Sequence, residues 1–114
     1  MSYYYIWTIG CQMNKAYSEQ LATDLERLGY RSTQAIEEAA LIVINSCVVR
    51  QSAESRVVSK LNSLIPLKRL NADTVVALAG CMVEPRVAEL RGRFPQVDLF
   101  LKPGESAELL DLAR

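Results

Sequence analysis

The chain should fold as one α/β domain, a three-layer sandwich around a five-stranded parallel sheet. Short apolar or β-branched runs alternate with longer segments whose apolar residues recur at helical spacing, and right-handed crossovers turn that alternation into a parallel sheet. Two of the runs, Leu41-Ile42-Val43-Ile44 and Val75-Val76-Ala77-Leu78-Ala79, are apolar throughout, as strands covered on both faces are. The 114 residues, 50% hydrophobic and 23% charged, suit a single packed core over residues 1–114 and leave no room for a second.

Each element follows in order. Tyr3 to Ile9 is aromatic and β-branched and suits a first strand. Gly10 to Asn14 reads as a loop with Asn14 capping the helix that follows. In that helix Leu21, Leu25 and Leu28 form the apolar stripe, and Gly29 stands where a C-terminal cap belongs. Tyr30 to Thr33 is a short second strand, with Glu37-Glu38 in the next turn. The third strand, Leu41 to Ile44, closes at Asn45-Ser46-Cys47. A long helix starts near Arg50, carries Val57, Val58, Leu61, Leu64 and Ile65 on one side, and ends or kinks at Pro66, which lacks the N–H for the ladder. Val75 to Ala79 is the fourth strand. Glu84-Pro85 opens another helix with Val87 and Leu90 inward, Val97 to Leu101 is the last strand, and Glu105 to Arg114 a final helix. Five strands at this length imply the flavodoxin-like order 2-1-3-4-5.

Composition narrows the chemistry. Thirteen Lys+Arg balance thirteen Asp+Glu, so the broad positive field of a stand-alone nucleic-acid binder is missing, and any gripping of nucleic acid falls to another segment. The chain has no His, which excludes imidazole bases, Ser-His-Asp triads and His metal ligands. No leader or bilayer-length apolar run is visible, implying a cytoplasmic protein whose thiols stay reduced. The odd count of three Cys fits a disulfide framework badly.

Those cysteines recur at equivalent places. Cys11, Cys47 and Cys81 lie about one strand-helix-strand unit apart, each following an apolar run by one or two small or polar residues and each preceding a helical segment. In the order 2-1-3-4-5 the strands that end in Cys are neighbours, so the three thiols reach one stretch of the carboxyl edge, the side on which open α/β sheets bind ligands. Helix N-termini there favour thiolate. Three thiolates without His suit an iron–sulfur cluster with one iron left open better than a structural zinc site, which takes a fourth Cys or a His. The competing reading is that the cysteines are merely small buried hydrophobes in a flavodoxin-like interaction or ligand-binding module. No Cys-x-x-Cys, phosphate loop or dinucleotide fingerprint is present, and a redox enzyme using Cys11 as nucleophile would lack a positioned base.

Gly10-Cys11-Gln12-Met13-Asn14, Asn45-Ser46-Cys47-Val48-Val49-Arg50 and Ala79-Gly80-Cys81-Met82 together resemble the amino-terminal domain of the radical-SAM methylthiotransferases. Gln-Met-Asn after the first Cys is similar to the tRNA, MiaB-like branch, which methylthiolates C2 of N6-isopentenyladenosine beside the anticodon; threonylcarbamoyladenosine or a ribosomal-protein aspartate are the substrates of other branches. The resemblance implies an enzyme domain in which Cys11, Cys47 and Cys81 bind an auxiliary [4Fe–4S] cluster that presents the sulfur to be transferred. It gives supporting roles to Asn14 as a cap, Asn45 as a turn-former and Arg50 as a positive charge, although ordinary capping and solvated charge account for these residues equally well. It further implies a radical-SAM domain in cis, with a second [4Fe–4S] cluster and S-adenosylmethionine, and an RNA-binding domain. The Cys-x-x-x-Cys-x-x-Cys motif of the former is absent from this chain, which alone should not complete the reaction on tRNA.

Overall fold

The computed structural model describes residues 3–9, 12–46, 51–70, 73–79, 91–101 and 109–110. They form strands β1 (Tyr3–Ile9), β2 (Arg31–Ser32), β3 (Leu41–Ser46), β4 (Val75–Ala79) and β5 (Leu99–Leu101) with helices α1 (Gln12–Arg27), α2 (Gln51–Ser63) and α3 (Ile65–Leu70). The strands make one parallel sheet in the order β2-β1-β3-β4-β5, as the alternating pattern implied. Among the described residues no helix is long and apolar enough to cross a membrane.

Register decides which side chains share a face. β1 pairs with β3 from Tyr4↔Leu41 to Ile9↔Ser46, and β3 with β4 from Leu41↔Val75 to Asn45↔Ala79. Successive side chains alternate between faces. One face therefore collects Tyr4, Leu41, Val43, Ala77 and Ala79, covered by Leu21 and Leu25 of α1 and by Leu109. The other collects Ile42, Ile44, Val76 and Leu78, covered by Val57 and Leu61 of α2, Leu64 and Phe94. Fully buried leucines such as Leu25 and Leu61 each contribute about 1.5–3 kcal/mol by leaving water. That two-sided cover is why β3 tolerates no polar residue before Asn45.

The helix stops are as physical as the starts. Gly29 has φ 100°, and the N–H groups of Gly29 and Tyr30 bond the carbonyls of Glu26 and Leu25 at 3.1 Å each, the paired bonds of a Schellman cap. Leu28 falls in that cap, past the last helical residue, and is exposed rather than part of the inward stripe. Pro66 does break the second helical segment: α2 stops at Ser63 and Pro66 sits in the first turn of α3, where its missing N–H costs no helical bond. Leu64 links the two, its N–H reaching Leu61 O at 3.1 Å and its carbonyl accepting from Lys68 at 3.0 Å.

Other boundaries differ from the sequence reading. Helix α1 begins at Gln12, so the backbone of Asn14 lies inside the first turn and not before it, and the side chain that would cap lies outside the described residues. Glu37 and Glu38 belong to a short 3-10 turn, Ile36–Glu38. The last strand starts at Leu99, not Val97, because local bonds take over just before it. Val97 donates to Phe94 O at 3.1 Å, and the Asp98 carboxylate accepts from the Val76 N–H and from Lys68 Nζ, both at 2.8 Å. The helix expected from Glu84-Pro85 with Val87 and Leu90 lies outside the described residues, though residues 91–93 are helical. Of the final helix only 109–110 are described.

Tyr4 joins strand and helix chemistry at the edge of this core. Its hydroxyl donates to Glu26 Oε2 at 2.7 Å. Burial, then the bond and negative charge of Glu26, push its ionisation from 10.0 up to about 12, with Ser32 opposing. A phenol whose folded value is raised stabilises the fold fully below pH 10; the stabilisation fades as pH rises toward about 12, because the unfolded chain releases the proton first. Unfolding midpoints measured across that window should fall in the parent chain more steeply than in Tyr4→Phe; identical slopes would refute the assignment.

Candidate functional site at the carboxyl edge

The three central strands finish nearly level. Ile9 of β1 stands opposite Ser46 of β3, and Asn45 opposite Ala79 of β4. Neighbouring strands are ~4.8 Å apart, so the backbone leaves the sheet at three adjacent points spanning ~10 Å. The gap between β1 and β3 is also where strand order reverses direction, the usual position of a ligand crevice in open α/β sheets. Along the chain, Gly10-Cys11 follows the first of these ends, Cys47 the second and Gly80-Cys81 the third. Cys11, Cys47, Cys81 and Arg50 lie outside the described residues, as does the side chain of Asn14.

Asn45 is the one predicted site residue whose surroundings are described. It is buried, with 1% exposed, and its Nδ2 donates to Ser18 Oγ of α1 at 2.8 Å. Ser18 Oγ also shares a hydrogen bond with Thr8 Oγ1 of β1 at 2.7 Å. Thr8 and Asn45 are register partners one row below the edge. A single hydroxyl of α1 thus pins the ends of β1 and β3 to each other. A buried amide must be satisfied in this way, and each such bond contributes about 1 kcal/mol net.

Thr8 and Ser18 were not among the residues singled out from sequence, although both leave a trace. Thr8 continues the inward alternation of Tyr4 and Ile6, and Ser18 precedes Leu21 and Leu25 at helical spacing, so each is a polar residue at an inward position. On the opposite face, Ser46 Oγ is fully buried and has no hydrogen-bond partner among the described residues. It directly precedes Cys47. An unmatched buried hydroxyl costs about 1–3 kcal/mol, which makes it a group in need of an acceptor at this edge.

Comparison with known proteins adds independent findings. Residues 3–102 match the family described as Uncharacterized protein family UPF0004. A protein of Roseiflexus sp. (strain RS-1) named tRNA-2-methylthio-N(6)-dimethylallyladenosine synthase is 47% identical over 111 residues, covering 96% of this chain and 23% of that protein. Proteins of the same name from Dehalococcoides mccartyi (strain ATCC BAA-2266 / KCTC 15142 / 195) and Moorella thermoacetica (strain ATCC 39073 / JCM 9320) are each 46% identical, over 89% and 94% of this chain and 24% of each relative. The chain therefore spans about a quarter of the length of the curated relatives it matches.

Proposed function

Because this chain belongs to the UPF0004 family, which its residues 3–102 match, we propose that it is the amino-terminal, sulfur-donor cluster domain of a tRNA methylthiotransferase. Cys11, Cys47 and Cys81 are the proposed ligands of an auxiliary [4Fe–4S] cluster. The observation that carries this reading is the level finish of β1, β3 and β4, which starts the three cysteine-bearing segments side by side. The relatives' printed names support the transferase and its substrate, dimethylallyl being the isopentenyl substituent expected from Gln12-Met13-Asn14.

The residues present fit such a group. The donor set is three thiols and no imidazole, a soft set matched to iron–sulfur. The Ser46 hydroxyl, without a partner among the described residues, adjoins Cys47 in sequence and is suited to donate to a sulfur, much as hydrogen bonds to cluster sulfurs tune such centres. When bound, the cluster would supply an iron coordination position for the sulfur that is transferred.

The protein's own part is to gather and hold. The Thr8–Ser18–Asn45 bonds fix the ends of β1 and β3 relative to α1, so the segments leading to Cys11 and Cys47 start from a rigid base. Arg50 adds positive charge close in sequence to Cys47, which favours thiolate. Cleavage of S-adenosylmethionine on a second [4Fe–4S] cluster, and the main grip on tRNA, are assigned to a radical-SAM domain in cis and an RNA-binding domain of the whole enzyme. That enzyme works in the cytoplasm, where its thiols remain reduced. Anaerobic reconstitution of this chain with iron and sulfide is expected to load about four irons per chain. Failure to take up iron under conditions where the chain is folded would overturn the reading.

A further inference from the structure

We propose that the groove between β1 and α2 binds a single-stranded RNA segment, stacking a base on Trp7 and holding phosphates with Arg56 and Lys60. This rests on the reading of the chain as part of an RNA-modifying enzyme, and it gives this domain a direct share in gripping the substrate. A neutral total charge had argued for gripping elsewhere, but a neutral sum says nothing about how charge is distributed.

The groove has a volume of about 460 Å³ and is lined by Trp7, Arg56, Ser59, Lys60 and Ser63. The helical residues recur at the three- and four-residue spacing of one helix face, and Trp7 projects from the strand opposite them. Lys60 Nζ stands 5.7 Å from the Trp7 ring, 5.3 Å from the Tyr5 ring and 3.4 Å from the Tyr5 hydroxyl. One face of α2 thus holds a cation beside an aromatic platform with a second cation, Arg56, exposed on the next turn.

The lining chemistry selects the occupant. Among the described residues no acidic side chain lines the groove. Arg56, Ser59 and Lys60 are hydrogen-bond donors, while the Ser63 hydroxyl is turned back onto the Lys60 carbonyl at 2.6 Å. Phosphate oxygens only accept, and an unpaired base presents a π face, so a single strand satisfies both halves of the lining. Place agrees with chemistry. Trp7 is two residues from the carboxyl end of β1 and Arg56 five residues from the amino end of α2, each on the order of 7 Å from that end. A strand in this groove runs toward the edge from which the cysteine-bearing segments depart.

Trp7 is the only tryptophan, so its fluorescence reports this groove alone. Titration of the chain with a short oligoadenylate should quench Trp7 saturably, and the affinity should fall with added salt. Arg56→Ala together with Lys60→Gln should weaken binding about tenfold or more and flatten the salt dependence, as loss of two phosphate contacts requires. Trp7→Leu, followed by anisotropy of labelled RNA, should weaken it by about tenfold. Circular dichroism checks that these variants fold, and Arg56→Ala alone, at an exposed position, should still show a loss. Equal quenching by heparin or polyglutamate at matched salt would overturn the proposal, the latter pointing to an acidic protein surface instead. So would unchanged RNA affinity in the variants. Iron loading is read on the same samples: normal loading without RNA binding removes this inference and leaves the cluster domain standing.

Discussion

Replacing Cys47 by alanine is expected to collapse iron loading from about four irons per chain to below about one, because two thiolates cannot hold a cubane that ordinarily takes four cysteine ligands. Cys47 follows β3, the strand with a neighbour on each side that also runs into a cysteine-bearing segment, so no other thiol replaces it from the same position. Cys11→Ala and Cys81→Ala should behave alike, since each removes one third of the set. The measurement is iron and acid-labile sulfide per chain after anaerobic reconstitution, with thermal unfolding of the apo form to show that each variant still folds. A Cys47→Ala chain that loads as much iron as the parent would refute the ligand assignment. The competing picture of cysteines as buried hydrophobes makes the reverse forecast, in which the substitution lowers stability and leaves metal content alone.

Leu78→Ala is expected to cost about 2–5 kcal/mol of folding stability. Leu78 is fully buried in β4, pairing in register with Ile44 and Phe100 in the core beneath α2. Truncation there leaves a cavity between sheet and helix that the flanking strands cannot close, since each is held in its own ladder. Against a total of about 5–15 kcal/mol for a domain of this kind, that is a large share. Urea unfolding should show a lower midpoint at an unchanged slope. Leu70→Ala supplies the contrast. Leu70 ends α3 and is 87% exposed, so its truncation should change stability by less than about 0.5 kcal/mol. If the two variants unfold at the same urea concentration, the two-sided core described above is wrong. Because β4 leads into Gly80-Cys81, Leu78→Ala should also slow iron loading while leaving its final level intact.

The sequence was legible where one physical cause acts within a short stretch. The unbroken apolar runs at Leu41 and Val75 announced strands covered on both faces, and Gly29 announced the end of α1 through its positive φ. Pro66 announced the break between α2 and α3. Legibility failed where partners come from elsewhere in the chain. Leu28 keeps the helical spacing yet is turned outward by the cap. Val97 looks like strand, but the Asp98 carboxylate occupies the Val76 N–H just before β5 begins. The polar row was missed for a similar reason: Thr8, Ser18 and Asn45 lie on three elements, and none of them signals the other two. The basic groove was hidden because total charge averages over the whole surface.

Residue order alone settled the kind and succession of the elements and the one-per-unit recurrence of cysteine, since these follow from backbone and side-chain preferences acting over a few residues. Which rows stand side by side was a matter for the folded chain. The level finish of β1, β3 and β4, the hydroxyl that ties Thr8 to Asn45, and the meeting of Trp7 with α2 depend on strand register. Register is chosen by packing both apolar faces at once, and that choice exists only when the whole sheet is assembled.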